Sequence, residues 1–325
     1  MRALVVTEHG GVDKLTVEER PDPAPGPGEV LVEVAASGVN FIDVYQREGI
    51  YDVPTPFVLG GECAGRVAAV GPDVAGVAEG DLVATASGSG THATHTVVSA
   101  RAAVPVPTGI DPDVAAAAML QGMTAHYLVN STYAVQPDDV ALVHAAAGGV
   151  GQLLVQMVKA NGGRVVATVG SAEKVDIARS AGADDVIRYD QLPSGASLAA
   201  AVRDLVPGGV HVAYDGVGQA TFEASLASLR PRGMLALFGA ASGKVPPFDL
   251  QRLNPAGSLF VTRPTLGHYT ATREELLWRS GDVLRAVADG SLRIAIGGRY
   301  ALDDAAQAYR DLEGRRTTGK LLVIP

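Results

Sequence analysis

Residues 140–159, VALVHAAAGGVGQLLVQMVK, hold the spacing that most directly implies chemistry. A short apolar run ends in a cluster of small residues and leads into a segment with Leu153, Leu154, Met157 and Val158 at helical spacing, which reads as strand, turn, helix. Within the turn, Ala146, Gly148 and Gly151 fit the pattern G-x-G-x-x-G, with Ala in the first place. The physics of that pattern is anion recognition. A missing side chain at Gly148 lets a pyrophosphate approach the backbone, Gly151 lets the helix pack close to its strand, and amide hydrogens at the helix start receive the charge. In a chain with 39 glycines the pattern takes its weight from its surroundings.

If 140–144 is the first strand of a dinucleotide unit, 164–169 is the second, and the turn after it selects the coenzyme. That turn reads Val169-Gly170-Ser171-Ala172-Glu173-Lys174, with no carboxylate at its tip for a ribose 2′-hydroxyl. Ser171 can donate to a 2′-phosphate, and Lys174 can add a charge-assisted contact of roughly 1.5–3 kcal/mol. NADP is therefore expected over NAD by about one to two orders of magnitude. Glu173, at a helix start, can point to solvent and interact with the dipole. The competing reading makes Ser171 a helix cap and Lys174 a solvated side chain.

Other chemistry is sparse. A single cysteine, Cys63, excludes an internal disulfide and a cysteine-rich zinc lobe, and reads as a small buried thiol. His92 and His95 in GTHATHTVV would lie on opposite faces of an alternating strand, so packing or surface roles are expected. Ser87 and Ser89 lack a strand-to-helix elbow.

The elements that must position these residues form three blocks. Up to about residue 122 the chain is strand-rich, with β-prone runs at 2–7, 15–20, 30–36, 63–70, 82–85 and 95–99, punctuated by Pro and Gly as in a small irregular barrel. The pattern turns helical from 111, where Asp113 can cap VAAAAMLQGMTAHYLV. Strands at 140–144, 164–169, 186–189, 210–215, 234–239 and 258–261 then alternate with helices at 149–161, 172–181, 197–205 and 220–229. That alternation predicts a doubly wound parallel sheet. Helices at 273–288 and 303–312 and a strand at 320–324 are too little for a domain, so the tail is expected to complete the first one.

With 325 residues, two domains are expected. A net charge of −9 provides no concentrated basic face, which argues against nucleic acid as a partner. No apolar run reaches membrane-spanning length, and the opening MRALVVTEHGG is too short an apolar stretch for a signal peptide, so a cytoplasmic protein is expected.

Several stretches together resemble a family: Gly38-Val39-Asn40-Phe41-Ile42-Asp43-Val44-Tyr45, Gly60-Gly61-Glu62, Gly122-Met123-Thr124-Ala125, 145–151, Val261-Thr262-Arg263-Pro264 and Thr318-Gly319-Lys320. In order and nearly end to end, they resemble the zinc-independent, zeta-crystallin-like quinone oxidoreductases of the medium-chain dehydrogenase/reductase superfamily. The resemblance implies an α/β fold in which a GroES-like β-barrel domain, 1–123 and 263–325, is interrupted by a Rossmann NADP-binding domain, 124–262, with the coenzyme in the cleft between. It implies that Asn40 and Tyr45 line the nicotinamide end and that Thr124 touches the coenzyme. Gly149 and Val150 would hold the pyrophosphate, and Gly170, Ser171, Lys174 and Tyr189 would surround the adenosine phosphate. Gly239, Ala240, Ala241, Ser242 and Arg315 would close on it. Gly216 departs from relatives that often carry a larger polar residue there. Zinc-dependent relatives have a cysteine near the position of Asn40 and Gly-His-Glu where this chain has Gly60-Gly61-Glu62, so no metal is expected.

Without a metal or an evident acid/base pair, the chemistry falls to the coenzyme, and the protein holds an electron-poor acceptor against it. A quinone suits this, because the oxyanion formed by hydride addition is resonance-stabilised. Asn40, Tyr45 or Tyr51 would orient the carbonyl, with Arg263 either neutralising the charge or pairing with a surface carboxylate. The same equipment would serve an enone or 2-alkenal double-bond reductase. A third possibility is an NADPH-binding protein with little turnover. A homodimer through 258–261 is expected from relatives.

Overall fold

The computed structural model describes residues 1–314 and 317–325, without the side chain at 196. The chain divides into two units, Met1–Met123 with Thr270–Pro325, and Thr124–Tyr269.

In the first unit, strands β1 (Arg2–Val6), β2 (Leu15–Glu19) and β3 (Glu29–Val39) precede helix α1 (Phe41–Arg47). Next come β4 (Phe57–Val58), β5 (Cys63–Val70), β6 (Leu82–Thr85), β7 (His95–Ser99), β8 (Val104–Pro105) and helix α2 (Pro112–Tyr127). The long β3 is the hub, pairing antiparallel with β5 and β7. Its alternate residues Val30 and Val32 pack with Val67, Val83 and Val98 in a buried core, as period-two patterning demands.

In the second unit, β9 (Val140–Val143), α3 (Gly149–Ala160), β10 (Arg164–Val169), α4 (Glu173–Ser180), β11 (Asp185–Arg188) and α5 (Gly195–Leu205) alternate. They continue as β12 (Val210–Asp215), α6 (Phe222–Ser228), β13 (Leu229–Leu237), β14 (Phe260–Thr262) and α7 (Leu266–Tyr269). The strands form one parallel sheet in the order β11-β10-β9-β12-β13-β14. Every residue of β9 is buried, as expected of a central parallel strand covered on both faces. Because β10 and β12 flank β9 on opposite sides, the strand order reverses there, and the ends of these three strands form the switch point where such sheets bind ligands.

The tail returns to the first unit as α8 (Arg273–Ala288), β15 (Ile296–Ala301), α9 (Ala305–Glu313) and β16 (Lys320–Ile324). β16 lies antiparallel to β3, with Leu321 opposite Val39 and Leu322 opposite Gly38. Ala305, Ala308 and Tyr309 of α9 pack with Leu321 and Val323 and with Leu4, Val6 and Val44 from the start of the chain.

Some local expectations change. α2 begins at Pro112, so Asp113 sits inside its first turn, where its carboxylate accepts from Arg299 Nε at 2.6 Å instead of capping the helix. The division between the units falls after Tyr269, not after 262. Tyr269 stacks on Tyr127 with ring centroids 4.3 Å apart, and Thr132 donates to its hydroxyl at 3.0 Å, which fastens residues 263–269 to the second unit. The helix expected over 220–229 ends at Ser228, because Leu229 already pairs with Val210 as β13 begins.

Candidate coenzyme and acceptor sites

The turn from β9 into α3 is built for close backbone approach. Ala145 has φ 50°, a left-handed conformation that costs a residue with a side chain about 1 kcal/mol or more and reverses the chain at the strand end. A Cβ at Gly151 would collide with the Ala145 carbonyl and stand 2.8 Å from Ala146 Cα, so only glycine lets α3 pack this close. At Gly148 a Cβ would lie 3.2 Å from the Ala145 carbonyl oxygen and meet nothing else within 4 Å; the space in front of it is open. Gly148 is the N-cap of α3 and brings no side chain to its amide hydrogens, and the first turn, with Gly149 and Val150, carries no acidic residue. A cradle of amides that a side chain would fill fits a dinucleotide pyrophosphate.

At the end of β10, Gly170 and Tyr189 come together although 19 positions apart in sequence. A Cβ on Gly170 would lie 2.5 Å from the Tyr189 hydroxyl oxygen and 2.8 Å from its ring, so the tyrosine covers this glycine. The N-cap of α4 is Ala172, with no side-chain cap, so Ser171 is not the capping residue. Ser171 and Lys174 are half-buried, and Tyr189 is 38% exposed. These four residues occupy neighbouring elements at one strand end.

Beneath the same strand ends runs a buried polar spine absent from the sequence reading. His144 Nδ1 lies 2.9 Å from Thr168 Oγ1, and its Nε2 lies 2.9 Å from Ser225 Oγ. Ser225 donates to Asp215 Oδ2 at 2.8 Å, while Asp215 Oδ1 accepts the amide hydrogens of Val217 and Gly218 at 2.8 and 2.9 Å. Burial holds His144 below its ordinary range, against the pull of Asp215. The spine fastens the ends of β9, β10 and β12 to the loop 216–220. That loop carries a second one in turn: Ser242 Oγ donates to the Val217 carbonyl at 2.8 Å and accepts from Ala220 N–H at 3.0 Å, and Ala241 N–H donates to the Gly216 carbonyl at 3.2 Å. Gly239 and Ala240 therefore belong to a fixed loop; a Cβ on Gly239 would collide with the Gly216 carbonyl. The glycine at 216 also has a cause, since a Cβ there would stand 2.8 Å from the Phe238 ring.

In the first unit, Asn40 stands between β3 and α1. Strand register brings its neighbours: Ser37 pairs with Cys63 across β5, which sets Glu62 beside Gly38, and the β16 register sets Lys320 beside Asn40. Asn40 Nδ2 donates to Glu62 Oε2 at 2.9 Å and to the Gly38 carbonyl at 3.1 Å, and Lys320 Nζ donates to Asn40 Oδ1 at 2.6 Å. Lys320 also pairs with Glu62 Oε2, and Glu62 Oε1 accepts the Leu120 amide hydrogen at 2.6 Å. Both amide hydrogens of Asn40 are thus committed and the residue is 5% exposed, which corrects the expectation that it donates to a substrate carbonyl.

A second branch starts from the same backbone. Asp43 Oδ2 accepts the Asn40 amide hydrogen at 2.8 Å and the Tyr309 hydroxyl at 2.9 Å, and that hydroxyl lies 2.6 Å from His92 Nε2. His92 Nδ1 lies 2.7 Å from Ser37 Oγ. Burial pushes the Asp43 carboxyl up to about 7 and, with Lys320 adding to it, the His92 imidazole down to about 3. His92 is therefore neutral at pH 7, and its approach to Asp43 at 3.9 Å is not an ion pair. His95 is half-buried on β7, and the Cys63 thiol is raised to about 12 by burial. Among the described residues no group of three or more His, Cys, Asp and Glu side chains is placed to hold a metal ion.

The remaining candidates vary in setting. Tyr45 and Tyr51 meet edge to face, 5.8 Å between centroids, with Tyr51 44% exposed. Thr124 is buried. Arg263 is exposed, and its Nη1 donates to the neighbouring Pro264 carbonyl at 3.3 Å. Arg315 lies outside the described residues. Glu62, Asp43, His92, Tyr309 and Lys320 were not singled out as site residues from sequence. The one local signal was a lysine opening the apolar closing strand Lys320–Ile324, where a charge must find a partner.

Two family models match: the alcohol dehydrogenase GroES-like domain over residues 26–108 and the zinc-binding dehydrogenase model over 149–277. A quinone oxidoreductase of Pseudomonas aeruginosa is 42% identical over 320 residues, covering 98% of this chain and 97% of its own length. Among solved structures, a mycobacterial protein complexed with NADPH superposes with a TM-score of 0.97 at 48% identity. The Escherichia coli quinone oxidoreductase complexed with NADPH does so with a TM-score of 0.97 at 39% identity; both cover all of each chain.

Proposed function

Because the chain belongs to the quinone oxidoreductase branch of the medium-chain dehydrogenase/reductase superfamily, we propose that it reduces quinones with NADPH and without a metal ion. The observation that carries this reading is the glycine cradle at Gly148 and Gly151, set at the switch point of the parallel sheet. Bound there, NADPH supplies a hydride.

The chain's own residues bind and orient. Amide hydrogens at the start of α3, from Gly149 and Val150 onward, receive the pyrophosphate. Ser171 and Lys174 bind the 2′-phosphate, and Tyr189 over Gly170 bounds the adenosine. Gly239, Ala240, Ala241 and Ser242, with Thr124, complete the coenzyme's contacts. Tyr45 and Tyr51 bind the acceptor carbonyl through their hydroxyls, and Asn40 acts by fixing the start of α1. Arg263 adds positive charge for the oxyanion.

The metal-free reading follows from the donor set: Gly61 has no side chain, the Asn40 side-chain oxygen is taken by the Lys320 ammonium, and Glu62 is spent on Lys320 and the Leu120 amide. β14 is the outer strand of its sheet, with Phe260 56% exposed, and pairing this edge across a two-fold axis makes a homodimer. A single reduced cysteine suits the cytoplasm. The test is NADPH oxidation against matched quinones, enones and 2-alkenals. Quinones are expected to turn over fastest, and a preference for alkenals overturns the quinone assignment.

A further inference from the structure

The Lys320–Glu62 pair is a buried charge pair that the proposed reaction leaves unused. Lys320 is 1% exposed and Glu62 fully buried, so both have given up hydration that their mutual pairing must replace. The fold makes room for them: a Cβ on Gly38 would collide with the Glu62 carboxylate and stand 2.7 Å from Lys320 Cε. The pair also decides how Asn40 lies. An ammonium can only donate, so Lys320 fixes which end of the amide is oxygen, and Glu62, which as a carboxylate only accepts, fixes the NH2 end. Asn40 is the N-cap of α1; its carbonyl accepts the Asp43 amide hydrogen at 3.1 Å and its own amide hydrogen goes to Asp43 Oδ2. Tyr45 stands on that helix, one turn further on.

We propose that Lys320 is a positioning residue for acceptor reduction, acting through Asn40 to set the start of α1 and hence the Tyr45 hydroxyl. This rests on the reading of Tyr45 as an acceptor-binding group. Lys320 touches neither acceptor nor coenzyme in this role. Its removal should therefore lower kcat while leaving NADPH binding in place.

The test is a double-mutant cycle on the full chain, with Lys320→Met, Asn40→Ala and both together, read as kcat with NADPH and a benzoquinone. If Lys320 acts through Asn40, each single variant loses about tenfold and the double also about tenfold; independent action gives about a hundredfold and overturns the proposal. NADPH affinity, by fluorescence titration, should change less than about threefold in Lys320→Met. A Lys320→Met, Glu62→Gln variant leaves no unpaired buried charge and guards against misfolding. It should melt close to the wild type yet keep the kcat loss, and recovery of kcat along with stability overturns the proposal. Wild-type turnover is the control on the functional reading. If the wild type reduces no conjugated carbonyl, that reading fails, and the Asn40 side-chain amide resonances decide the inference: displaced in Lys320→Met if the ammonium holds the amide, unmoved if it does not.

Discussion

The turn between β9 and α3 makes its binding surface from backbone, whereas the loop between β3 and α1 makes its polar centre from side chains delivered by the residue before β5, by β16 and α9, and by the segment before β7. The first brings no acidic side chain to the opening turn of α3 and leaves no room for a Cβ at Gly151. The second is dense with ionisable groups, among them Asp43, His92 and Tyr309, each displaced far from its ordinary range by burial. A backbone site should therefore fail sterically and abruptly, and a side-chain network should fail by charge and pH. Each substitution below sets one of these expectations against the other.

The largest effect is expected at Gly151. A valine there forces the turn apart, costing about 4 kcal/mol or more of stability and abolishing NADPH binding, read by thermal unfolding and titration. Gly148→Val sharpens the contrast, because its side chain enters open space: NADPH binding should weaken about a hundredfold with unfolding almost unchanged. Equal destabilisation at both positions would remove the distinction between packing and ligand approach.

Next in size is the pH response of the side-chain network. Asp43, raised from its ordinary 3.8 to about 7, holds a proton in the folded state that the unfolded chain releases. Its contribution to stability is full below about 3.8 and is lost as pH rises to about 7. The groups facing it are the Asn40 amide, the Tyr309 hydroxyl and His92, with Lys320 opposing the shift and Glu62 reinforcing it. His92, lowered to about 3, runs the other way and costs stability as pH falls below 6.5. Asp43→Asn removes only the first dependence. Relative to wild type, the variant should gain up to about 4 kcal/mol between pH 4 and 7, read by urea unfolding, and a pH-independent difference would contradict the buried carboxyl.

Lys174→Ala comes third. NADPH should bind roughly ten to a hundred times more weakly and NADH almost as before. Equal losses for both would move the phosphate contact elsewhere. The smallest expected effect is none: dialysis against a strong chelator should leave quinone turnover intact, and a loss restored by zinc would overturn the metal-free assignment.

What was legible in the sequence follows the same division. Gly148 and Gly151 announce themselves because backbone sites are local, and their spacing along one turn is their geometry. The parallel sheet was equally plain, since alternating strands and helices permit few arrangements. The packing of Tyr189 over Gly170 was not legible, as nothing between positions 170 and 189 encodes the contact; family resemblance only grouped the two residues. The network around Asn40 was hidden because Lys320, Glu62 and Tyr309 meet it only through strand register and the return of the tail. For Asn40 the sequence did not show that its amide hydrogens are spent on Gly38 and Glu62 or that its oxygen meets Lys320, because those partners are set by strand register and not by local spacing.

The central claim is tested most directly by steady-state oxidation of NADPH and of NADH with the same benzoquinone. Turnover with NADPH, and a kcat/KM at least about tenfold lower with NADH, is the predicted result. Equal rates with both coenzymes, or oxidation of neither, would contradict it.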